Sequence, residues 1–148
     1  MTIAPLTVSS INMVRSKLIQ ELQHIIAHDE LTSSLTRRQL IQSIQILQQQ
    51  AKDSAQTTAF IMLDIDHFKQ VNDKFWHEVW DFVLKKLVET FNLNIRTDDV
   101  DKDCIYRIWW DEFIVVFQSY DVEWVIFTIN KIKKIFIDEI KKYSTEHK

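Results

Sequence analysis

Apolar residues recur at helical spacing near the start of the chain. From Ser10 onwards they fall three or four positions apart, which is the period of one helix face. The stripe consists of Ile11, Val14, Leu18, Leu22 and Ile25. Ser9 or Ser10 is the predicted N-cap, because a serine hydroxyl accepts a bond from a free N–H of the first turn. The stripe could pack against the chain's own domain or against a partner helix, and the sequence leaves both interpretations open.

The helical period returns in three later segments, and three short apolar runs separate them. A second helix is predicted from Thr36, a third over residues 77–93, and a last one after Asp121, which would cap it.

The short runs are typical of strands. TAFIMLDI (58–65) is almost wholly apolar and too short for a helix, so it predicts a buried central strand. CIYRI (104–108) and FIVVFQ (113–118) are separated by four residues and predict a β-hairpin. The resulting order predicts an α/β fold with helices flanking a central β-sheet.

Composition narrows the class of protein. The 148 residues are 46% hydrophobic and 26% charged, which is typical of one globular domain with a core. A net charge of -3 provides no general positive field for nucleic acid or an anionic membrane. The single cysteine, Cys104, excludes a disulfide framework and suits a reducing cytoplasm. No apolar run approaches the roughly 20 residues of a membrane span, and the first residues do not resemble a secretory signal.

Carboxylates follow the predicted strand and occupy the hairpin tip. Asp64 and Asp66 end the strand, where open α/β sheets place their ligands, and Asp111 and Glu112 lie at the tip. Two carboxylates two positions apart on a strand point the same way, so a cation between them would be needed for burial. Mg²⁺ commonly takes one or two carboxylates together with substrate phosphates. The other interpretation is that one carboxylate of the pair caps the following turn.

Three polar residues near this strand extend the candidate site. Lys69 could present a positive charge to a phosphate. Asn72 and Asp81 flank the same loop, and an amide with a carboxylate can match the donors and acceptors of a guanine edge.

Three blocks of the sequence closely resemble the signature blocks of the GGDEF domain family, in the same order and spacing. They are DELTSSLTRR (29–38), LDIDHFKQVNDKFWHEVWD (63–81) and RIWWDEF (107–113). The resemblance implies a nucleotide-cyclase-like fold with a ferredoxin-like palm. It also implies a lead helix over residues 1–28 and a GGDEF-like domain over 29–148.

The resemblance further implies a diguanylate cyclase, which condenses two GTP molecules into cyclic di-GMP. By position, Asp64, Asp111 and the Ile65 carbonyl would hold Mg²⁺ (or Mn²⁺), and Glu112 would lie beside the metal or help to activate the attacking hydroxyl. Asn72 and Asp81 would bind guanine, Lys69 would contact phosphate, and residues 109 and 110 would border the substrate. The domain would act as a homodimer with facing sites, to which the lead helix could add a contact.

The chain contains no glycine, although about 10 would be usual for this length. The family's glycines in the second and third blocks fall on Trp76, Trp80, Trp109 and Trp110, and the first-block glycine falls on Ser33. A gene in which UGA encodes glycine, translated as though UGA meant tryptophan, would give this pattern. The alternatives are a natural degenerate domain and a glycine-free design. UGA codons at these four positions would support recoding, whereas UGG codons throughout would exclude it. As written, indoles at the tip are expected to fill the space that the nucleotide needs and to resist positive φ.

Two further departures from the family pattern concern product binding and the C-terminal end of the domain. In the family's product-binding RxxD motif, Asp103 has the aspartate position but Val100 has the arginine position, while Arg96 and Asp99 form an RxxD four residues upstream. We therefore predict no product-binding site from this motif. Family members continue with a further strand and helix, so the domain is expected to be truncated at its C-terminus. The alternative to a cyclase is a degenerate module that binds GTP or a protein partner without catalysis.

Overall fold

The computed structural model describes residues 7–53, 57–65, 77–97, 102–118 and 121–146. In these ranges the chain forms helices and strands in the order α1 (Val8–Ala27), β1 (Leu35–Thr36), α2 (Arg37–Asp53), β2 (Thr58–Asp64), α3 (His77–Asn92), β3 (Cys104–Arg107), β4 (Glu112–Gln118) and α4 (Val122–Glu146). The α/β class, the predicted helices and the hairpin are confirmed.

The four strands form one mixed sheet in the order β1-β3-β4-β2. β1 runs parallel to β3, whereas β3–β4 and β4–β2 are antiparallel. β1 was missed in the sequence because it has only two residues, Leu35 and Thr36. It takes the position at which α2 was predicted to begin, and α2 therefore begins at Arg37.

The prediction that residues 58–65 form the buried central strand is wrong. β2 lies at an end of the described sheet, and Phe60 and Met62 are 48% and 69% exposed. Only its other face, with Ala59, Ile61 and Leu63, packs against the main core. A continuous apolar run shows that both faces are apolar but does not show how many neighbouring strands pair with it, so sequence alone could not place β2.

Helices cover the two central strands from both sides. On one face, α3 and α4 pack onto β4, with Leu84, Phe113, Phe117 and Ile132 fully buried. On the other face, α2 covers Tyr106 and Val116 through Leu40, and the Tyr106 hydroxyl donates to Ser43 Oγ over 3.0 Å. The hairpin is thus packed between helices on both faces of the sheet.

The lead helix α1 begins earlier than predicted. Thr7, and not Ser9 or Ser10, is its N-cap, because Thr7 keeps an extended backbone and its side chain accepts from the Ser10 N–H over 3.2 Å. Residues 11–24 are all exposed, including Ile11 and Leu18 of the apolar stripe. The side chain of Ile25 lies outside the described residues.

Two further predictions, the N-cap of α4 and the buried position of Trp80 on α3, are confirmed. Asp121 caps α4, because its Oδ1 accepts from the Glu123 N–H over 2.7 Å. Trp80 continues the apolar stripe of α3 and is only 6% exposed.

Candidate active site at the hairpin tip

The end of β2 lies directly beside the tip of the β3–β4 hairpin. Asp64, the last residue of β2, pairs with Glu112, the first residue of β4. One residue further, the Ile65 N–H donates to the Asp111 carbonyl over 3.4 Å. Directly opposed residues of antiparallel strands project from the same face, with their Cβ atoms about 5 Å apart. The fold therefore brings Asp64 and Glu112 together, although 48 positions separate them in the sequence.

The donor chemistry of this edge suits a hard divalent cation, but the described residues do not form a complete cage. Asp64 and Glu112 offer oxygen ligands, the type that Mg²⁺ prefers. Among the described residues neither they nor Asp111 form an ion pair with a basic side chain. In the same part of the chain, no group of three or more acidic, histidine or cysteine side chains is arranged to hold a metal. Two carboxylates plus substrate phosphates is a common set for Mg²⁺, and the pair fits that set.

The remaining predicted site residues divide between described and undescribed segments. Asp66, Lys69, Asn72 and Trp76 lie outside the described residues. Asp81 lies near the start of α3 and is half-buried beside the core residue Trp80. Their positions relative to the carboxylate pair stay predictions.

Arg107, at the end of β3, holds the backbone of the tip. Its Nη2 donates to the Trp110 carbonyl over 2.8 Å, and its Nε donates to the Trp109 carbonyl over 3.3 Å. The N–H groups of Ile108 and Trp109 both donate to the Glu112 carbonyl, at 2.9 and 3.4 Å. Two kinds of hydrogen bond therefore hold the tip: main-chain bonds to the Glu112 carbonyl, and bonds from the Arg107 guanidinium to the Trp109 and Trp110 carbonyls.

The same guanidinium bonds to the turn that follows α1. Arg107 Nη1 donates to Asp29 Oδ1 over 2.9 Å, and that oxygen also accepts from the Thr32 N–H and hydroxyl over 2.9 and 2.7 Å. Burial alone would raise the pKa of Asp29, but the hydrogen bonds from Thr32 and Arg107 outweigh it and hold that pKa below its ordinary value. Sequence reasoning missed both residues as parts of the site. A signal was present, because they begin the first and third signature blocks.

Ser33 adopts the backbone of a glycine in this turn. Its φ is 60°, the only positive φ at a non-glycine position among the described residues. The turn is closed by the Ser33 N–H donating to the Asp29 carbonyl, and by the Asp29 N–H donating to the Ser34 carbonyl, both over 2.8 Å. A residue with a Cβ is disfavoured there by roughly 1–2 kcal/mol. The first-block glycine position thus keeps its glycine-like conformation.

Trp109 and Trp110, at the hairpin tip, differ from Ser33 in their backbone conformation. Trp109 and Trp110 do not take positive φ, so the expected backbone conflict at the tip is absent. Their indoles are 58% and 66% exposed. Together with Asp29, Arg107 and Ile108 they line an open cavity of about 360 Å³. The two indoles therefore add exposed apolar surface at the tip.

Asp103 has a structural role in this fold. Its side chain is 1% exposed and accepts from the N–H groups of Arg96 and Gln118 over 3.1 and 3.2 Å. Arg96 Nη2 donates in turn to the Gln118 carbonyl over 2.6 Å. Burial raises the pKa of Asp103 despite these bonds. The carboxylate closes the loop between α3 and β3 onto the end of β4. Asp99 and Val100 lie outside the described residues.

Comparison with known proteins assigns the family. Residues 26–148 match the family described as "Diguanylate cyclase, GGDEF domain". The chain belongs to the GGDEF family, and its mixed sheet with flanking helices is the GGDEF fold.

Individual relatives and a solved structure agree with this assignment. The chain is 32% identical over 68% of its length to the diguanylate cyclase DgcS of Shewanella oneidensis. It is 29% identical over 86% of its length to the diguanylate cyclase DosC of Escherichia coli. It spans only 32% and 27% of the length of these two relatives. The coiled coil and GGDEF domain of DgcB from Caulobacter crescentus, solved with c-di-GMP, superposes with a TM-score of 0.74 at 22% identity, over 84% of this chain and 62% of that one.

None of the described helices combines the length and the apolar character that crossing a bilayer requires.

Proposed function

We propose that this chain is a diguanylate-cyclase-like GGDEF domain, whose site is built to join two GTP molecules into cyclic di-GMP with release of two pyrophosphates, and that the tryptophans at its hairpin tip limit turnover in the sequence as written. The observation that carries the proposal is the pairing of Asp64 with Glu112 at the edge where β2 meets the hairpin tip. Two acidic side chains on one face, without a basic partner among the described residues, favour a cation together with an anionic substrate. The diguanylate cyclases among the relatives support the same reaction.

The proposed roles are those that the resemblance to the GGDEF family implies for these sequence positions. Asp64, Asp111 and the Ile65 carbonyl would hold Mg²⁺ (or Mn²⁺), with Glu112 beside the metal or activating the 3′-hydroxyl of GTP. When bound, the metal neutralises charge that develops on the phosphoryl oxygens and favours deprotonation of the attacking hydroxyl. Asn72 and Asp81 would bind the guanine edge, and Lys69 would contact phosphate.

The reaction joins two nucleotides, so the proposal includes a homodimer with facing sites. The exposed apolar stripe of α1 would supply a second contact, because pairing with the same helix of another copy would remove it from water. In this arrangement residues 1–28 form the lead helix and residues 29–148 form the catalytic domain. GTP is an intracellular nucleotide, and the proposal therefore includes a cytoplasmic location.

A second candidate function is supported by the tip. Trp109 and Trp110 directly precede Asp111 in the chain, and both are more than half exposed. A displacement of about 1 Å can lower a rate roughly a hundredfold, so bulky indoles here favour binding without efficient turnover. In that case the domain would be a GGDEF module that binds GTP or a protein partner.

The experiment that tests the metal edge is a calorimetric titration of the chain with GTP, with Mg²⁺ or with a chelator. We expect Mg²⁺-dependent binding, and Asp64→Asn should weaken it about tenfold or more because a charged ligand is lost. The control is Glu89→Gln, which removes the partner of Lys86 in a surface ion pair on α3. Its affinity for GTP should equal that of the unchanged chain.

Two outcomes would contradict the proposal. Equal binding in Mg²⁺ and in chelator would show that the carboxylate edge holds no metal. Equal affinity of the Asp64→Asn and unchanged chains would show that the nucleotide binds elsewhere.

A further inference from the structure

The end of the lead helix and the hairpin tip are connected by hydrogen bonds through one side chain. α1 ends at Ala27, and residues 29–34 form a tight turn that continues into β1. β1 pairs with β3 so that Thr36 lies opposite Arg107. The guanidinium of Arg107 then reaches back to Asp29 in the turn and forward to two carbonyls of the tip.

The bonds that Arg107 makes are well suited to fixing the tip. A guanidinium is planar and presents its donors in a rigid fork, so three acceptors in fixed places determine where the group lies. The Arg107 side chain is only 13% exposed, and its bond to Asp29 is partly buried, whereas its two bonds to the tip carbonyls lie at the surface. Lysine, with a single nitrogen on a flexible stem, could not serve all three acceptors at once.

The direction of the tip peptides follows from these bonds. Arg107 draws the carbonyls of Trp109 and Trp110 towards itself. In a trans peptide the N–H points opposite to the carbonyl, so the next N–H groups, at Trp110 and Asp111, point away from Arg107. The side chain therefore sets the orientation of the segment that leads into the carboxylates Asp111 and Glu112.

We infer that Arg107 is a positioning residue for the candidate site, and that Asp29 holds it in place and so joins the tip to the end of α1. A role of Arg107 in catalysis rests on the proposed function. The geometric part concerns the tip alone and is tested without nucleotide.

The test is amide hydrogen exchange of the chain, followed residue by residue by NMR. The N–H groups of Ile108 and Trp109 report on the tip, because both donate to the Glu112 carbonyl. Arg107→Gln should speed their exchange about tenfold or more, since bonds from a charged group are lost. Arg107→Lys should give an intermediate rate, because it keeps the charge beside Asp29.

Asp29→Asn tests the connection to α1. The amide keeps an acceptor for Thr32 but loses the charge that holds Arg107, so the same two N–H groups should exchange several-fold faster. The double variant Asp29→Asn with Arg107→Gln should exchange no faster than Arg107→Gln alone, because both changes remove one connected set of bonds. Glu89→Gln, at a separate ion pair, should leave the tip unchanged.

Three results would overturn the inference. One is unchanged exchange at Ile108 and Trp109 in Arg107→Gln. A second is equal acceleration at the buried Val115 in both Arg107 variants, which would mean that Arg107 stabilises the whole domain and not the tip. A third is additive effects of the Asp29 and Arg107 changes. Failure of the chain to bind GTP would count against the proposed function but would leave these exchange results to decide the role of Arg107.

Discussion

Arg107 donates to the carboxylate of Asp29 over 2.9 Å, although 78 positions separate the two residues in the chain. The contact is partly buried and is shared with the N–H and hydroxyl of Thr32. It joins the first signature block to the third, and the third block contains the acidic tip. The tip of the candidate site is therefore bonded to a turn that lies far from it in the sequence.

The acid dependence of stability should reveal the Asp29 contact. The pKa of Asp29 is lower in the folded chain than its ordinary value of 3.8, so its contribution is complete above that value and is lost as pH falls through the lowered pKa. The difference in unfolding free energy between the unchanged chain and Asp29→Asn should therefore be constant at neutral pH and shrink below about pH 4. Urea unfolding at a series of pH values measures it, and a difference that grows on acidification would contradict the assignment.

Asp103 should behave in the opposite sense. Its pKa is raised in the folded chain, so its contribution is greatest below the ordinary value of 3.8 and declines as pH rises through the raised pKa. Asp103→Ala should still destabilise the chain at pH 7, by about 1–3 kcal/mol for each N–H left unbonded at Arg96 and Gln118. Denaturant unfolding measures this, and an unchanged midpoint would show that the loop is not held by this carboxylate.

Ser33→Gly should stabilise the domain. The positive φ of Ser33 is disfavoured by its Cβ, so glycine should raise the unfolding free energy by up to about 1 kcal/mol after its greater freedom in the unfolded chain is subtracted. Ser33→Ala is the matched control, because alanine keeps the Cβ and gives no relief. Thermal unfolding of the three proteins compares them, and equal midpoints for glycine and alanine would contradict the left-handed turn.

The tryptophans at glycine positions should divide into two groups by stability. Trp80 is 6% exposed within the main core, so Trp80→Gly should cost at least about 3–5 kcal/mol through the cavity that it leaves. Trp109→Gly with Trp110→Gly should change the unfolding free energy far less, because both indoles are largely in water. Denaturant unfolding of the two variants checks this. A large loss for the tip pair would show that the indoles support the hairpin.

Local patterns in the sequence were sufficient for most of the elements. The helical period identified α1 to α4, and the spacing of two strand-like runs identified the hairpin, because each depends on residues close in the chain. β1 could not be found this way, because Leu35 and Thr36 are a strand only through their pairing with Tyr106 and Arg107. The position of β2 likewise depends on its neighbours in the sheet, which an apolar run does not specify.

For the candidate site, the structure bears only on the placement of the acidic segments, and the roles of the residues stay predictions. The sequence placed Asp64 at a strand end and the acidic pair at a tip, and the pairing of Asp64 with Glu112 joins them. It did not reveal what holds the tip in place, because that contact depends on the distant residue Asp29 and has no local period. The signature blocks contain both partners, but their pairing becomes visible only in three dimensions.

The most direct test of the central claim is product analysis after incubation with GTP and Mg²⁺. The unchanged chain should form little or no cyclic di-GMP, because we propose that its tip indoles hinder the approach of the nucleotide. The variant with Trp109→Gly and Trp110→Gly should bind GTP more tightly and form cyclic di-GMP and pyrophosphate. Adding Asp111→Asn to that variant should abolish Mg²⁺-dependent binding. If the tip variant binds GTP no better than the unchanged chain and forms no cyclic di-GMP, the cyclase proposal is contradicted and a partner-binding role is favoured.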